Sequence, residues 1–544
     1  MTADSLAVSE TPTRDHDTEN FPTASLMLAP AVRGKVMAFY RFVRVADDIA
    51  DSPDLPPEEK LRRLDAMGAA LADPATTLRE AAGMHRAGVG TEEAALMLEA
   101  FRQDSVQARY ADWAALEHYC ARSASPVGRM LLRLHGTTAP EAIAASDGLC
   151  TALQILNHLQ DLVPDRDRLS RIYMPESWMA IAGGEAAFFD PANPMRRAIL
   201  DAALDRVEEE LDRAHALPRL VASRRLAMQS KVTIDLARRL LARLRAADPV
   251  LGRVALGKLD FARALLGAPF MPATDASLVA GRVARAGSSF ARGMKALSGE
   301  RRRALWGVYA FCRAVDDIAD GEMPEAEKRR FLADWRAKLD RPDCVLSREL
   351  AFACQAFAIP REECEAMIAG METDAGDRVR IADEGELALY CRRVAGSVGA
   401  MAVRIFGATN AEGWGLDLGH TFQLTNILRD VDEDAERERV YIPLSLLAAE
   451  GIPDGPAKEM VAHPRFAAIC ARLARDAEAG FATAAAEMGR YDAEALLPAR
   501  VMMWGYGRLF QRLLARGWEG ARPRPRLTKR EKLTMARMAL GWGR

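Results

Sequence analysis

Apolar residues recur along most of this chain every three or four positions, the spacing of one face of an α-helix. The pattern is plain over residues 61–71, 92–102, 195–215, 226–244, 328–339 and 502–514. Ala, Leu, Arg and Glu, all good helix formers, dominate, and no alternating Val/Ile/Thr run reads as a strand. Pro191 and Pro194 punctuate the approach to one helix, and Asp248-Pro249 closes another. The spacing predicts an all-α fold.

The pattern occurs twice. Tyr40-Arg-Phe-Val-Arg44-Val-Ala-Asp47-Asp48-Ile-Ala-Asp51 is answered by Tyr309-Ala-Phe-Cys-Arg313-Ala-Val-Asp316-Asp317-Ile-Ala-Asp320. Asn157-His-Leu-Gln160-Asp161-Leu-Val-Pro-Asp165 is answered by Asn426-Ile-Leu-Arg429-Asp430-Val-Asp-Glu-Asp434. Asp47 to Asp316 and Asp161 to Asp430 are both steps of 269 residues, and Phe21 to Phe290 keeps the same step. Tyr119-Cys120 and Val127-Gly128 match Tyr390-Cys391 and Val398-Gly399, while Arg171-Ile-Tyr173-Met-Pro175 matches Arg439-Val-Tyr441-Ile-Pro443. This is a tandem duplication of one helical module. A chain of 544 residues exceeds one ordinary core. The reading is a disordered tail over 1–18, a domain over 19–267, a Gly/Pro-containing linker over 268–280 and a second domain over 281–544.

A net charge of −2 gives no field to steer nucleic acid to the surface. The eight cysteines show no C-x-x-C spacing and sit in apolar helical patterns, which suits reduced thiols in the cytoplasm. The first 18 residues are polar and acidic, unlike a secretory signal, and no apolar run is long enough to span a membrane. The stretch from Arg522 is basic (Arg524, Arg526, Lys529) and then amphipathic (Leu533, Met535, Met538, Leu540, Trp542). Such a segment can lie peripherally on the inner face of an anionic membrane; docking on its own domain is the alternative, because 258–266 mirrors it in the first half. No pattern sets an oligomeric state.

Residues four apart share a helix face, so Asp47 and Asp51, Asp161 and Asp165, Asp316 and Asp320, and Asp430 and Asp434 each point one way. A lone Asp-x-x-x-Asp is most often a solvated face. Four in register, with matching Arg and Tyr neighbours, are not. Paired carboxylates repel without a cation between them, and an all-oxygen donor set suits Mg²⁺ shared with substrate phosphates. Arg44 and Arg313 lie three residues before the first Asp of their motifs and Arg429 directly precedes Asp430, each placed to bind phosphate oxygens. Phe21, Phe39, Tyr40 and Tyr119, and Phe290, Tyr309 and Tyr390, would supply an apolar, aromatic wall. For Tyr119, Tyr390 and the Val-Gly pairs, tight core packing is an equal reading. The eight histidines show no repeated metal spacing and receive no role.

With these motifs, both halves resemble the squalene/phytoene synthase family of head-to-head prenyl transferases. The most specific signals are Asp316-Asp-Ile-Ala-Asp320, Gln423-Leu-Thr-Asn426-Ile-Leu-Arg429-Asp430 and Tyr390-Cys-Arg-Arg-Val-Ala-Gly-Ser-Val-Gly399. The first half, with Asn20-Phe21-Pro22 and with Gln160 where the other half has Arg429, is similar to bacterial hydroxysqualene synthases. The second, with Ser288-Ser289-Phe290, Gly293-Met294 and Gly370-Met371, is similar to bacterial presqualene diphosphate synthases. The resemblance implies two isoprenoid-synthase-type helical bundles, each with its two Asp motifs facing across a central cavity. It implies several Mg²⁺ per domain on Asp47, Asp51, Asp161 and Asp165, and on Asp316, Asp320, Asp430 and Asp434. Tyr40, Tyr119, Tyr309 and Tyr390 would be catalytic. Phe21, Arg44, Asn157, Gln160 and Arg171, and Ser289, Phe290, Arg313, Gln423, Asn426, Arg429 and Arg439, would bind substrate. The implied substrates are farnesyl diphosphate and presqualene diphosphate on the way to squalene and hopanoids, with a squalene-forming oxidoreductase downstream. A phytoene synthase acting on geranylgeranyl diphosphate is the rival within the family, and a non-catalytic prenyl-lipid scaffold the rival outside it. No Gly-rich dinucleotide fingerprint is present, so NADPH is not expected.

Overall fold

The computed structural model describes Leu6 and residues 30–270, 272–286, 297 and 299–539. It divides into two compact units: Met1–Pro272 with Glu322–Pro324, and Ala273–Gly321 with Glu325–Arg544. Each is a bundle of helices, as the periodicity predicts. Among the described residues the only strands are Val379–Arg380 and Arg439–Val440, paired in parallel with Val379 opposite Arg439. Two residues are too few to show the alternation by which a strand is read, so the sequence pattern hides this pair. Part of the expected linker, 268–280, is helical. Helix Asp275–Ala286 begins inside it, with Val279 and Val283 buried and Asp275 ion-paired to Arg348 at 2.7 Å. The expected tail 1–18 falls, Leu6 apart, outside the described residues.

The core decides which way the acidic motifs point. On helix Pro30–Asp51, Val36, Phe39, Phe42, Ala46, Ile49 and Ala50 are buried, three or four residues apart on one face. Tyr40, Arg44, Asp47 and Asp51 recur along the neighbouring face at steps of four, three and four. Helix Gly299–Asp320 repeats this: Leu305, Val308, Phe311, Val315 and Ile318 are buried, and Tyr309, Arg313, Asp316 and Asp320 take the other register. Asp112 caps helix Trp113–Ser123 by accepting from Ala115 N at 2.8 Å, and Asp383 caps Glu384–Cys391 from Glu386 N at 2.9 Å. Each cap starts the helix that carries Tyr119 or Tyr390.

Beyond these tyrosines the halves diverge. In the first, Pro126 stands in the opening turn of a new helix, Ser125–Leu134. In the second, the chain runs through a π-helical stretch, Arg392–Gly396, into Ser397–Phe406. There the helices cross backbone to backbone: a Cβ on Gly399 would stand 2.0 Å from Gly415 O, and one on Gly419 2.3 Å from Ala395 O. Gly128 meets side chains instead, those of Ser146 and Cys150. The second acidic motif of the second half lies on one continuous helix, Glu412–Glu436, whereas its counterpart breaks at Asp161 between Pro140–Gln160 and Leu162–Leu169. Pro164 accounts for the break. In a continuous helix it would leave the Gln160 carbonyl without its N–H partner and press its ring against that oxygen; Glu433 stands there in the other half. The break leaves the motif's geometry intact, since Asp165 N still donates to Asp161 O at 2.8 Å.

The tail helix Lys529–Ala539 docks on Leu497–Arg516, through Arg512–Glu531 at 2.8 Å and through Met535 packed on Gly505. Leu533 stays exposed. No helix among the described residues is long and apolar enough to cross a membrane, and all eight cysteines are free thiols.

Candidate active site

In the first half both acidic pairs line one cavity of about 1240 Å³. Asp47 and Asp51 come from helix Pro30–Asp51, and Asp161 and Asp165 from the break and the helix after it. Tyr40, Arg44, Tyr119, Asn157 and Arg171 also face this space. Its other wall is apolar, with Val36, Phe39, Met97, Phe101 and Met130. A charged mouth joined to an oily chamber suits a molecule with an anionic head and a long hydrocarbon tail.

At the mouth the motif aspartates are held by arginines. Arg44 bonds Asp47 at 2.8 Å and Asp48 at 2.7 Å; Arg171 pairs with Asp51 and donates to Ala50 O at 2.9 Å. Arg253 approaches Asp161 at 3.3 Å. Even so, burial, and then the charge of Asp51, push the Asp47 carboxyl up to about 8. The second half repeats the pattern. Arg313 pairs with Asp316 at 3.0 Å and Asp317 at 2.6 Å, Arg439 with Asp320 at 2.6 Å, and Arg429 and Arg524 both with Asp430 at 2.5 and 3.0 Å. Burial and the neighbouring carboxylate push Asp316 and Asp434 up to about 7. In each half one asparagine points a buried, unpartnered carbonyl oxygen, Asn157 Oδ1 or Asn426 Oδ1, among the described residues.

This donor set fits Mg²⁺. The ligands offered are carboxylate oxygens, and in each half an asparagine carbonyl oxygen stands without a partner among the described residues. No three His, Cys, Asp or Glu side chains among the described residues converge closely enough to hold a metal alone. Mg²⁺ does not require it, since it commonly takes one or two carboxylates and completes its shell with water and substrate phosphate.

Not every candidate turns toward the site. Gln160 is buried and donates its side-chain N–H to Val254 O, away from the cavity. Gln423 accepts from Asn426 Nδ2 at 3.3 Å. Arg171 and Arg439 are held by Asp51 and Asp320 and by backbone carbonyls, which anchors the first Asp motif in each half. Tyr309 shares a helix with Asp316. Phe21, Ser289 and Phe290 lie outside the described residues.

The structure adds residues that motif reading passed over. Asp104 is buried and accepts from Tyr119 at 2.7 Å and Tyr173 at 3.3 Å; Asp374 likewise accepts from Tyr390 at 2.8 Å and Tyr441 at 2.7 Å. Burial raises both carboxyls to about 6. The signal lay in the repeat, since Asp104 and Asp374 correspond, but one acid per module forms no motif. Arg253 and Arg524 also correspond, each reaching its second Asp motif from far along the chain. His158 lines the first cavity with its ring stacked on Tyr173, centroids 3.6 Å apart and planes at 13°. Burial, and then the charge of Arg171, push it down to about 3, so it is neutral.

The squalene/phytoene synthase family model matches residues 14–260 and again 283–531. The chain belongs to that family. It is 40% identical over 256 residues to a presqualene diphosphate synthase of Rhodopseudomonas palustris, covering 46% of this chain and 91% of that protein. A hydroxysqualene synthase of the same organism is 37% identical over 261 residues, covering 47% of this chain and 89% of that protein. A phytoene synthase of Thermus thermophilus is 38% identical over 255 residues, covering 44% and 88%. The tandem organisation of this family member is thus a doubling of a whole synthase.

Proposed function

We propose that the protein carries out two consecutive reactions of head-to-head prenyl coupling. The second half joins two farnesyl diphosphates into presqualene diphosphate, and the first half converts that product to hydroxysqualene. The observation that carries this reading is the amphipathic cavity of the first half, lined by two acidic pairs and by an apolar wall, with the same motif set recurring in the sequence of the second half. The eight motif aspartates hold Mg²⁺, which when bound supplies a Lewis acid for the diphosphate leaving group. Arg44 and Arg313, paired with the motif aspartates, are placed to bind diphosphate oxygens as well. Arg429 adds a cation to a site that receives two diphosphates. Gln160, neutral and turned away, suits a site that receives one. The Tyr119 and Tyr390 hydroxyls, donating to Asp104 and Asp374, are left with oxygen lone pairs to stabilise positive charge developing in the chamber. Neither step is a reduction, so no NADPH is consumed. The alcohol must next be exchanged for hydride by a separate oxidoreductase, and the exposed Leu533 of the tail helix offers a contact with the membrane that receives such products.

Product analysis of motif variants tests the assignment. Asp316→Asn or Asp430→Asn should stop farnesyl diphosphate consumption while added presqualene diphosphate is still converted. Asp47→Asn or Asp161→Asn should make presqualene diphosphate accumulate. Each should lower its own step by about a hundredfold or more. EDTA should stop both steps and Mg²⁺ restore them. If Asp161→Asn instead halts farnesyl diphosphate consumption, the halves are assigned backwards. Turnover of geranylgeranyl but not farnesyl diphosphate would replace the reading with phytoene-type condensation, and no diphosphate release from any prenyl substrate would leave a binding scaffold.

A further inference from the structure

The two halves carry nearly the same groups at corresponding positions. Gln154 and Gln423, Asn157 and Asn426, Tyr119 and Tyr390, Tyr173 and Tyr441, and Asp104 and Asp374 correspond in pairs. Other polar positions differ between the halves, Gln160 from Arg429 and Ser123 from Val394, and one further difference falls between the matched Gln and the acidic motif. Where the first half has His158, the second has Ile427, which is buried. The two residues stand one helical turn after the Gln and three residues before the Asn-linked acidic motif begins, so they occupy the same place on the same face.

His158 is built into its place. It lies against the face of Tyr173, whose hydroxyl is tied to Asp104, and its Nε2 stands 3.2 Å from the Gln154 amide. The oxygen and nitrogen of that amide are sterically interchangeable. As placed, the Gln154 amide nitrogen faces Nε2; with the amide turned over, its oxygen accepts from Nε2–H and leaves Nδ1 as an acceptor. Both side chains line the cavity. Phe101, Met97 and Met130 line the same cavity, and the imidazole joins Asn157 Oδ1, unpartnered among the described residues, as an acceptor for water there. A neutral imidazole does not repel a carbocation, as an imidazolium would.

We propose that His158, oriented by Gln154, holds the water that captures the carbocation in the first half, and so selects an alcohol product there. This rests on the hydroxysqualene-forming role given above to that half. The bond balance is simple. The C–O bond to diphosphate breaks and the electron pair leaves with diphosphate. After the carbon skeleton rearranges, a lone pair of the held water forms the new C–O bond. The resulting oxonium gives one proton to the imidazole, which passes it to the departing diphosphate. Nothing is oxidised or reduced. In the second half Ile427 offers water no such acceptor at the matching position, so its cation closes to a cyclopropane by losing a carbon-bound proton.

The experiment supplies presqualene diphosphate and Mg²⁺ to the full-length protein and measures diphosphate release and product in parallel, in water enriched in ¹⁸O. The wild type should release diphosphate and put one labelled oxygen into a C30 alcohol; if it releases none, the function assigned to this half fails first, and separately. His158→Ile copies the residue that the same fold carries at Ile427. It should keep diphosphate release within about threefold while the alcohol fraction falls about tenfold or more, replaced by hydrocarbons formed through proton loss. His158→Asn, which retains an acceptor, should recover part of the alcohol. An unchanged alcohol fraction in both variants overturns the proposal. So does a loss of release and of alcohol in equal proportion in both, which would mark His158 as packing for Tyr173.

Discussion

Replacing Asp374 by Asn tests the buried Asp–Tyr–Tyr cluster by a route independent of products. Asp374 is buried, and its carboxyl holds its proton to about pH 6, chiefly because burial penalises the charge. An unfolded chain releases that proton near 3.8. Between those values the folded state binds more protons than the unfolded one, so stability falls as pH rises through the window and stays lower above it. Holding the proton from pH 3.8 up to about 6 is worth about 3 kcal/mol. Asn has nearly the same shape, can accept from one of Tyr390 and Tyr441, and does not titrate. The stability of Asp374→Asn relative to wild type should therefore improve by about 3 kcal/mol between about pH 4 and about pH 8. Urea unfolding of the full-length, EDTA-treated protein across that range reads the difference directly. At neutral pH the variant should also consume farnesyl diphosphate more slowly, because neutral acceptors orient the two phenols less strongly than a carboxylate. A difference flat with pH, or one moving the other way, would show that the carboxyl is not buried against its charge and refute the account.

Two smaller predictions follow from packing. Gly399→Ala should destabilise the second unit by about 3 kcal/mol, because its methyl meets the Gly415 backbone, while Gly128→Ala meets side chains able to shift and should cost about 1 kcal/mol; thermal melts compare them. Leu533→Glu leaves the Arg512–Glu531 and Met535 contacts of the tail helix in place, so binding to anionic vesicles should drop in flotation assays without a change in melting temperature; equal flotation removes the membrane contact.

Helix content, the doubling and the acidic motifs were legible because each is a local pattern. A face that buries Phe39, Phe42 and Ala46 leaves Tyr40, Arg44 and Asp47 on the next face whatever the helix packs against. The break at Asp161 was also local in cause, since Pro164 forbids the continuous helix that Glu433 allows. Composition, repeat offset and motif spacing thus determined the class of fold and where the charged groups would sit along each helix. The rest needed three dimensions. Gln160 lies one residue from a motif aspartate yet turns to the carbonyl of Val254. Asp104 meets Tyr119 and Tyr173 from distant parts of the chain, and Arg253 meets Asp161 across some ninety residues. Such pairings follow from how helices pack and leave no periodic trace, because a single residue's partner depends on chain folding rather than on its neighbours. His158 looked like any lone histidine until Tyr173 was placed against its ring. Sequence decided what each helix could offer; tertiary packing decided which offers meet in the cavity.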